Sequence, residues 1–157
     1  MKLRVLLRPA TAFPTAIALA LGLGWAGREA AFAREKAREV ESKTVALEQV
    51  EMKPYSDRGK AVGKLGIYLA GDTPRSKQFV TGRLVLDAGQ TPHPPHTHPE
   101  EEVMVIERGT GEIVVDGKTT RIGPGSIMFT APNVSHGITN TGDEPIAFTF
   151  IKWASKE

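Results

Sequence analysis

From Thr44 onward, short apolar runs alternate with small and polar breakers at intervals of roughly ten residues, the pattern of strands joined by turns. The runs are Val45–Val50, Leu65–Leu69, Phe79–Leu86, Val103–Ile106, Glu112–Val115, Thr119–Ile122, Ile127–Phe129, Ser135–Thr139 and Ile146–Trp153. Between them lie Asp72-Thr73-Pro74, Asp87-Ala88-Gly89, Asp116-Gly117, Gly123-Pro124-Gly125 and Thr141-Gly142-Asp143. Asp116-Gly117 predicts a tight hairpin, because a type I′ turn needs positive φ at both central residues. No segment after Lys43 carries a sustained helical apolar period. About eight or nine short strands predict an all-β fold, either a barrel or a two-sheet jelly roll. A small barrel of this kind leaves room inside for one small ligand.

The first 33 residues follow a different pattern. Lys2, Arg4 and Arg8 precede an apolar run from Ala10 to Ala26, and Ala31-Phe32-Ala33 places small residues where a signal peptidase reads. This is the layout of a secretory signal peptide cleaved after Ala33, and it predicts a periplasmic or secreted protein. An uncleaved anchor is the competing reading, but the apolar run is short and is bracketed by Pro14 and Arg28. Residues 34–43 (REKAREVESK) alternate charges and read as a linker, leaving 44–157 as one barrel domain.

Composition narrows the chemistry. At 157 residues the chain is long enough for one domain with its own core. It has no cysteine, which excludes disulfides, thiolate zinc sites, iron–sulfur clusters and thiol nucleophiles. The formal charge is +2, but the leader holds four of the 20 basic residues and one of the 18 acidic ones, so the mature chain stands at −1. No basic patch interleaved with aromatics is present, and nucleic acid is not an expected partner. Once the leader is removed, neither is a membrane.

All four histidines fall in the second half: His93, His96, His98 and His136. On a strand, His96 and His98 would project from one face, and Glu102 follows at another even offset. His136 opens a later strand run and would supply a fourth group from across the barrel. The bland reading makes these satisfied edge histidines and Glu100-Glu101-Glu102 a solvated acidic turn. The metal reading gains because a carboxylate and a third histidine stand where a shared ion needs them. Imidazole and carboxylate suit Fe(II), Mn(II), Ni(II), Co(II) or Zn(II). His93, within Pro92-His93-Pro94-Pro95, is either an exposed loop residue or a proton acceptor at the barrel mouth.

These residues resemble the cupins, in particular the small single-domain type. Gly89, His96, His98, Glu102 and Gly109 follow the first cupin motif, with the step from Gly89 to His96 one residue longer than usual. Gly125, Ala131, Asn133, His136 and Asn140 follow the second, with Ala131 in place of proline and Asn133 in place of glycine. Asn is the next-best residue for a left-handed backbone. A shift of the carboxylate to Glu101 breaks the spacing to Gly109, so Glu101 is the reserve to Glu102.

The resemblance implies a cupin β-barrel, the double-stranded β-helix or jelly roll. It implies one divalent transition metal held by His96, His98, Glu102 and His136, with Fe(II) or Mn(II) favoured over Ni, Co or Zn. It also implies a small-molecule substrate or ligand and a possible homodimer. The expected function is an exported metal-dependent enzyme, a dioxygenase-like oxidoreductase, with Glu102 and His93 as its acid–base residues. The alternative is a non-catalytic binding or sensor domain whose metal is structural or anchors a ligand. Arg83, Phe79, Phe129, Phe148 and Phe150 are candidate cavity-lining residues, with either strand register open.

Overall fold

The computed structural model describes residues 39–156. The expected signal peptide and residues 34–38 lie outside the described residues. Nine strands follow in order: β1 (Lys53–Asp57), β2 (Lys60–Gly71), β3 (Ser76–Leu86), β4 (Glu101–Arg108), β5 (Gly111–Val115), β6 (Lys118–Ile122), β7 (Ile127–Thr130), β8 (His136–Thr139) and β9 (Ile146–Ser155). They form a six-stranded sheet ordered β1-β2-β3-β9-β4-β7 and a three-stranded sheet ordered β6-β5-β8. All paired strands run antiparallel. No helix among the described residues is long and apolar enough to cross a membrane.

Alternation decides which side chains meet. On β4 the buried positions are Glu102, Met104 and Ile106, while Val103 and Val105 face outward. Cross-strand partners share a face, so Phe150 and Phe148 of β9 lie beside Met104 and Ile106. Leu84 and Leu86 of β3 extend the same inward face. Ile113 of β5 and Ile138 of β8 close the core from the smaller sheet. Each fully buried side chain of this size contributes about 1.5–3 kcal/mol of transfer free energy.

Two cavity-lining expectations are corrected. Arg83 faces outward, where its Nε donates to Glu107 Oε2 at 2.7 Å. Phe129 is 57% exposed on the outer side of edge strand β7. Inward strand parity belongs to Met128 and Thr130 there, which leaves Phe129 no route to the core.

The N-terminal end is also corrected. Val45–Val50 forms a 3-10 turn over Leu47–Gln49 instead of a strand. The turn seats Val50 against β2 at Gly66, where any Cβ would sit 2.5 Å from Val50 Cγ1. The first strand is the polar KPYSD segment, which hairpins into β2 through Arg58 and Gly59, at φ 47° and 82°. Its Pro54 is tolerable because β1 is an edge strand. The hairpin at Asp116-Gly117 forms as expected, with φ 48° and 75°. Upstream, Glu39 bridges Asp72 and Val40 N donates to Asp72 O at 2.7 Å.

Candidate metal centre

The three motif histidines reach one point by different routes. His136 begins β8. His96 lies on the irregular approach to β4, not on a strand, and exchanges two backbone hydrogen bonds with His136, each 3.0 Å. That bridge fixes their rings side by side, with centroids 4.7 Å apart. His98 is held from the other side, because Asn133 N donates to His98 O at 2.8 Å. Asn133 adopts φ 63°, the left-handed conformation its place in the motif requires. One potential ligand atom from each of His96, His98 and His136 lies within 4.8 Å of the other two.

Glu102 completes the convergence from the large sheet. Its Oε2 lies 2.8 Å from His98 Nε2 and 3.1 Å from His136 Nε2. Glu101 alternates to the other face, opposite Trp153. Asn140 braces the surrounding loops. It is fully buried, and its Nδ2 donates to Leu86 O, Asp87 O and Glu144 O at 2.9–3.0 Å.

The outer nitrogens decide how the rings are used. His98 Nδ1 donates to Glu100 O at 3.1 Å, and His136 Nδ1 donates to Val134 O at 2.9 Å. Carbonyl oxygens only accept, so both Nδ1 atoms carry hydrogen and both neutral rings turn an Nε2 lone pair toward Glu102. A carboxylate also only accepts. The junction between two Nε2 atoms and Oε2 therefore needs a positive species, either protons or a cation. A divalent ion fits that donor set, and the carbonyls supply the outer hydrogen bonds that orient metal-binding imidazoles.

Electrostatics agree with a cation-seeking site. Without an ion, shared protons fill that junction: burial pushes the Glu102 carboxyl up, but the hydrogen bonds it then accepts from His136 and His98 outweigh it and bring the pKa to about 2. His96 is lowered to about 3, first by burial and then by His93, His136 and His98. Burial likewise lowers His93. For His136, burial pulls down, but the hydrogen bonds to Glu102 and Val134 O prevail and the net shift is upward.

His93 stacks edge-on against His96, with centroids 4.0 Å apart, and its Nδ1 donates to Pro94 O at 3.0 Å. Sequence reasoning missed Glu100, which it took for a solubilising residue. Glu100 is 3% exposed, with Oε2 3.2 Å from His98 Nδ1 and 4.0 Å from Lys152 Nζ. The available signal was its even spacing from both His98 and Glu102. Two surface depressions lie elsewhere, one along Glu39–Ser42 and Pro74, the other along Thr91, Pro95, Glu112 and Gly137–Thr139.

The cupin domain family model matches residues 82–152, which contain the histidine cluster and Glu102. This is a cupin domain. Solved structures share the fold. An RmlC-like cupin from Shewanella frigidimarina superposes with a TM-score of 0.58 at 20% identity, covering 75% of this chain and 96% of the other. A protein described as a predicted oxalate decarboxylase from Thermotoga maritima gives 0.57 at 25% identity, covering 71% and 99%. The polyketide cyclase RemF from Streptomyces resistomycificus gives 0.60 at 20% identity, covering 73% and 81%. This cupin thus shares its barrel with proteins of different named activities, so its own function rests on its site.

Proposed function

We propose that the chain is an exported, metal-dependent cupin enzyme, a dioxygenase-like oxidoreductase acting on a small organic molecule. His96, His98, Glu102 and His136 would hold one divalent transition metal, Fe(II) or Mn(II) before Ni, Co or Zn. The observation that carries the reading is the approach of Glu102 Oε2 to both Nε2 atoms, at 2.8 and 3.1 Å. Four protein ligands on an octahedral ion leave about two positions for other groups. Iron or manganese there would supply Lewis acidity and one-electron redox capacity.

The chain's own residues do the rest. Backbone carbonyls of Glu100 and Val134 hold two imidazoles in the ligating tautomer. The apolar wall of Met104, Phe148 and Ile106 keeps the inner side of the site dry. His93, whose pKa burial lowers and whose ring lies edge-on to His96, would accept a proton there. Export rests on the leader. A homodimer is supported by Ile127 and Phe129, exposed by 71% and 57% on the outer face of β7.

The test is elemental analysis of protein purified from the periplasmic fraction, followed by oxygen uptake across phenols, diketones and thiols. The expected results are about one transition metal per chain and turnover that His96→Ala abolishes. A metal-free native protein would overturn the reading. A sensor role is the second reading, favoured because His93 is the one further acid–base group the sequence offers beside the ligand set. Tight binding of an unaltered ligand without oxygen uptake would decide for it.

A further inference from the structure

Two polar side chains flank Glu102 on the inner wall. Strand register pairs Glu102 with Lys152 of β9 on one side and with Thr130 of β7 on the other. Partners directly across a ladder share a face, so Lys152, Glu102 and Thr130 form one row across three adjacent strands. The next row inward is Phe150, Met104 and Met128. The wall changes from apolar to polar in a single step, at the level of the metal centre.

Thr130 is 1% exposed, and its Oγ1 makes no hydrogen bond within the described residues. Valine has the same shape and would bury there without that penalty, so the hydroxyl is left to serve a partner from outside the chain. The Lys152 side chain is 15% exposed, and its ammonium lies 4.0 Å from Glu100 Oε2. The ammonium keeps its position inside the barrel together with its attraction to Glu100.

Charge then selects the ligand. Glu100 and Glu102 contribute two negative charges, Lys152 one positive and a divalent ion two. With neutral imidazoles, these four groups sum to a single positive charge. Burying net charge is unfavourable, and a monoanion cancels it where a neutral ligand does not. Strands lie about 4.8 Å apart, so Lys152 and Thr130 stand roughly 10 Å apart at the backbone, with a long donor on one side and a short one on the other.

We propose that Lys152 and Thr130 form a recognition pair for a small carboxylate held at the metal centre beside Glu102. This rests on the metal-binding reading above. The ammonium would pair with the carboxylate, and the threonine hydroxyl would donate to a second oxygen of the same molecule.

The experiment uses the barrel protein loaded with Zn(II), which is redox-inert, and titrates it calorimetrically with lactate and with lactamide, its uncharged analogue. Zinc affinity is measured first. Lactate is expected to bind at least about tenfold more tightly than lactamide, the difference a charged hydrogen-bonded partner makes. Lys152→Met and Lys152→Gln should each erase that preference while leaving zinc affinity within about threefold. Thr130→Val should weaken lactate by about fivefold and raise the thermal midpoint of the ligand-free protein, since it removes the unpaired hydroxyl. Equal binding of lactate and lactamide overturns the inference but leaves the metal centre standing. Loss of zinc affinity in both lysine variants also overturns it, by making Lys152 part of the scaffold. Absence of zinc binding in the unmodified protein overturns both readings.

Discussion

Two neighbouring rows of the same wall behave in opposite ways. Phe150, Met104 and Met128 lie one ladder step from Lys152, Glu102 and Thr130. The first row and the layers beneath it gain free energy whenever the chain folds, because removing apolar surface from water needs no partner. The second row gains only when its charges and donors are matched. The strands thus divide their labour along the barrel axis. One end carries the fold, and the other holds groups whose burial is favourable chiefly with an ion present.

The division can be broken most forcefully at the apolar end. Phe148 is 2% exposed, and Phe148→Ala should cost about 3–5 kcal/mol in denaturant unfolding, with the same loss in metal-loaded and chelator-treated protein. A loss present in only one of those states would erase the distinction. At the polar end, His136→Ala should lower metal affinity by about 100-fold or more in a competition titration, because the chelate loses one of four donors. Its effect on unfolding should be far larger with metal than without. Asn140→Ala tests the boundary between the two. It strands the carbonyls of Leu86, Asp87 and Glu144, and should cost about 1–3 kcal/mol regardless of metal.

A smaller, graded effect follows from pH. His96 and His93 have folded pKa values below the ordinary 6.5, so they bind fewer protons folded than unfolded. Stability of the chelator-treated protein should fall as pH drops below 6.5, and for His96 the fall continues toward about 3. His136 is raised, so its contribution is complete below its ordinary value and is lost as pH rises through the folded one. Glu102, at about 2, contributes above its ordinary 4.5 and fades only as pH falls toward 2. Thermal midpoints from pH 6.5 to pH 4, where the His136 contribution is already complete, check the sign, and a midpoint that rises toward acid there would contradict it. The smallest effect concerns the outer face. Phe129→Ser should leave stability within about 0.5 kcal/mol and shift sedimentation toward a monomer if β7 forms a homodimer contact.

How much of this was legible in the sequence follows the same divide. The short apolar runs of β4 and β9 and the Asp116-Gly117 turn are local signals, and they point to the barrel. The metal constellation was legible because side-chain chemistry at motif spacing is conspicuous even when local structure is misjudged. His96 and His98 were placed on a strand, yet a loop tied by the His96–His136 bridge brings them to the same point. What escaped depended on packing at a distance. The strand at Lys53–Asp57 has almost no apolar pattern of its own and exists because β2 offers an edge. Glu100 looked like a surface acid until Lys152, 52 positions later in the chain, was placed beside it. Inward and outward faces at Arg83 and Phe129 depended on a register that no single run encodes.

The two sheets share no continuous ladder. Three imidazoles come from the small sheet and the loops tied to it, whereas the carboxylate comes from β4 of the large one, one strand in from its edge. An ion seated between them is therefore a rivet across a seam. Its removal would leave each layer folded but allow the rim to gape, and amide exchange should quicken along β8 and the 96–98 segment before anywhere else. Metal supply would then govern how stiff the opening of this vessel is, and through that how readily molecules enter and leave it.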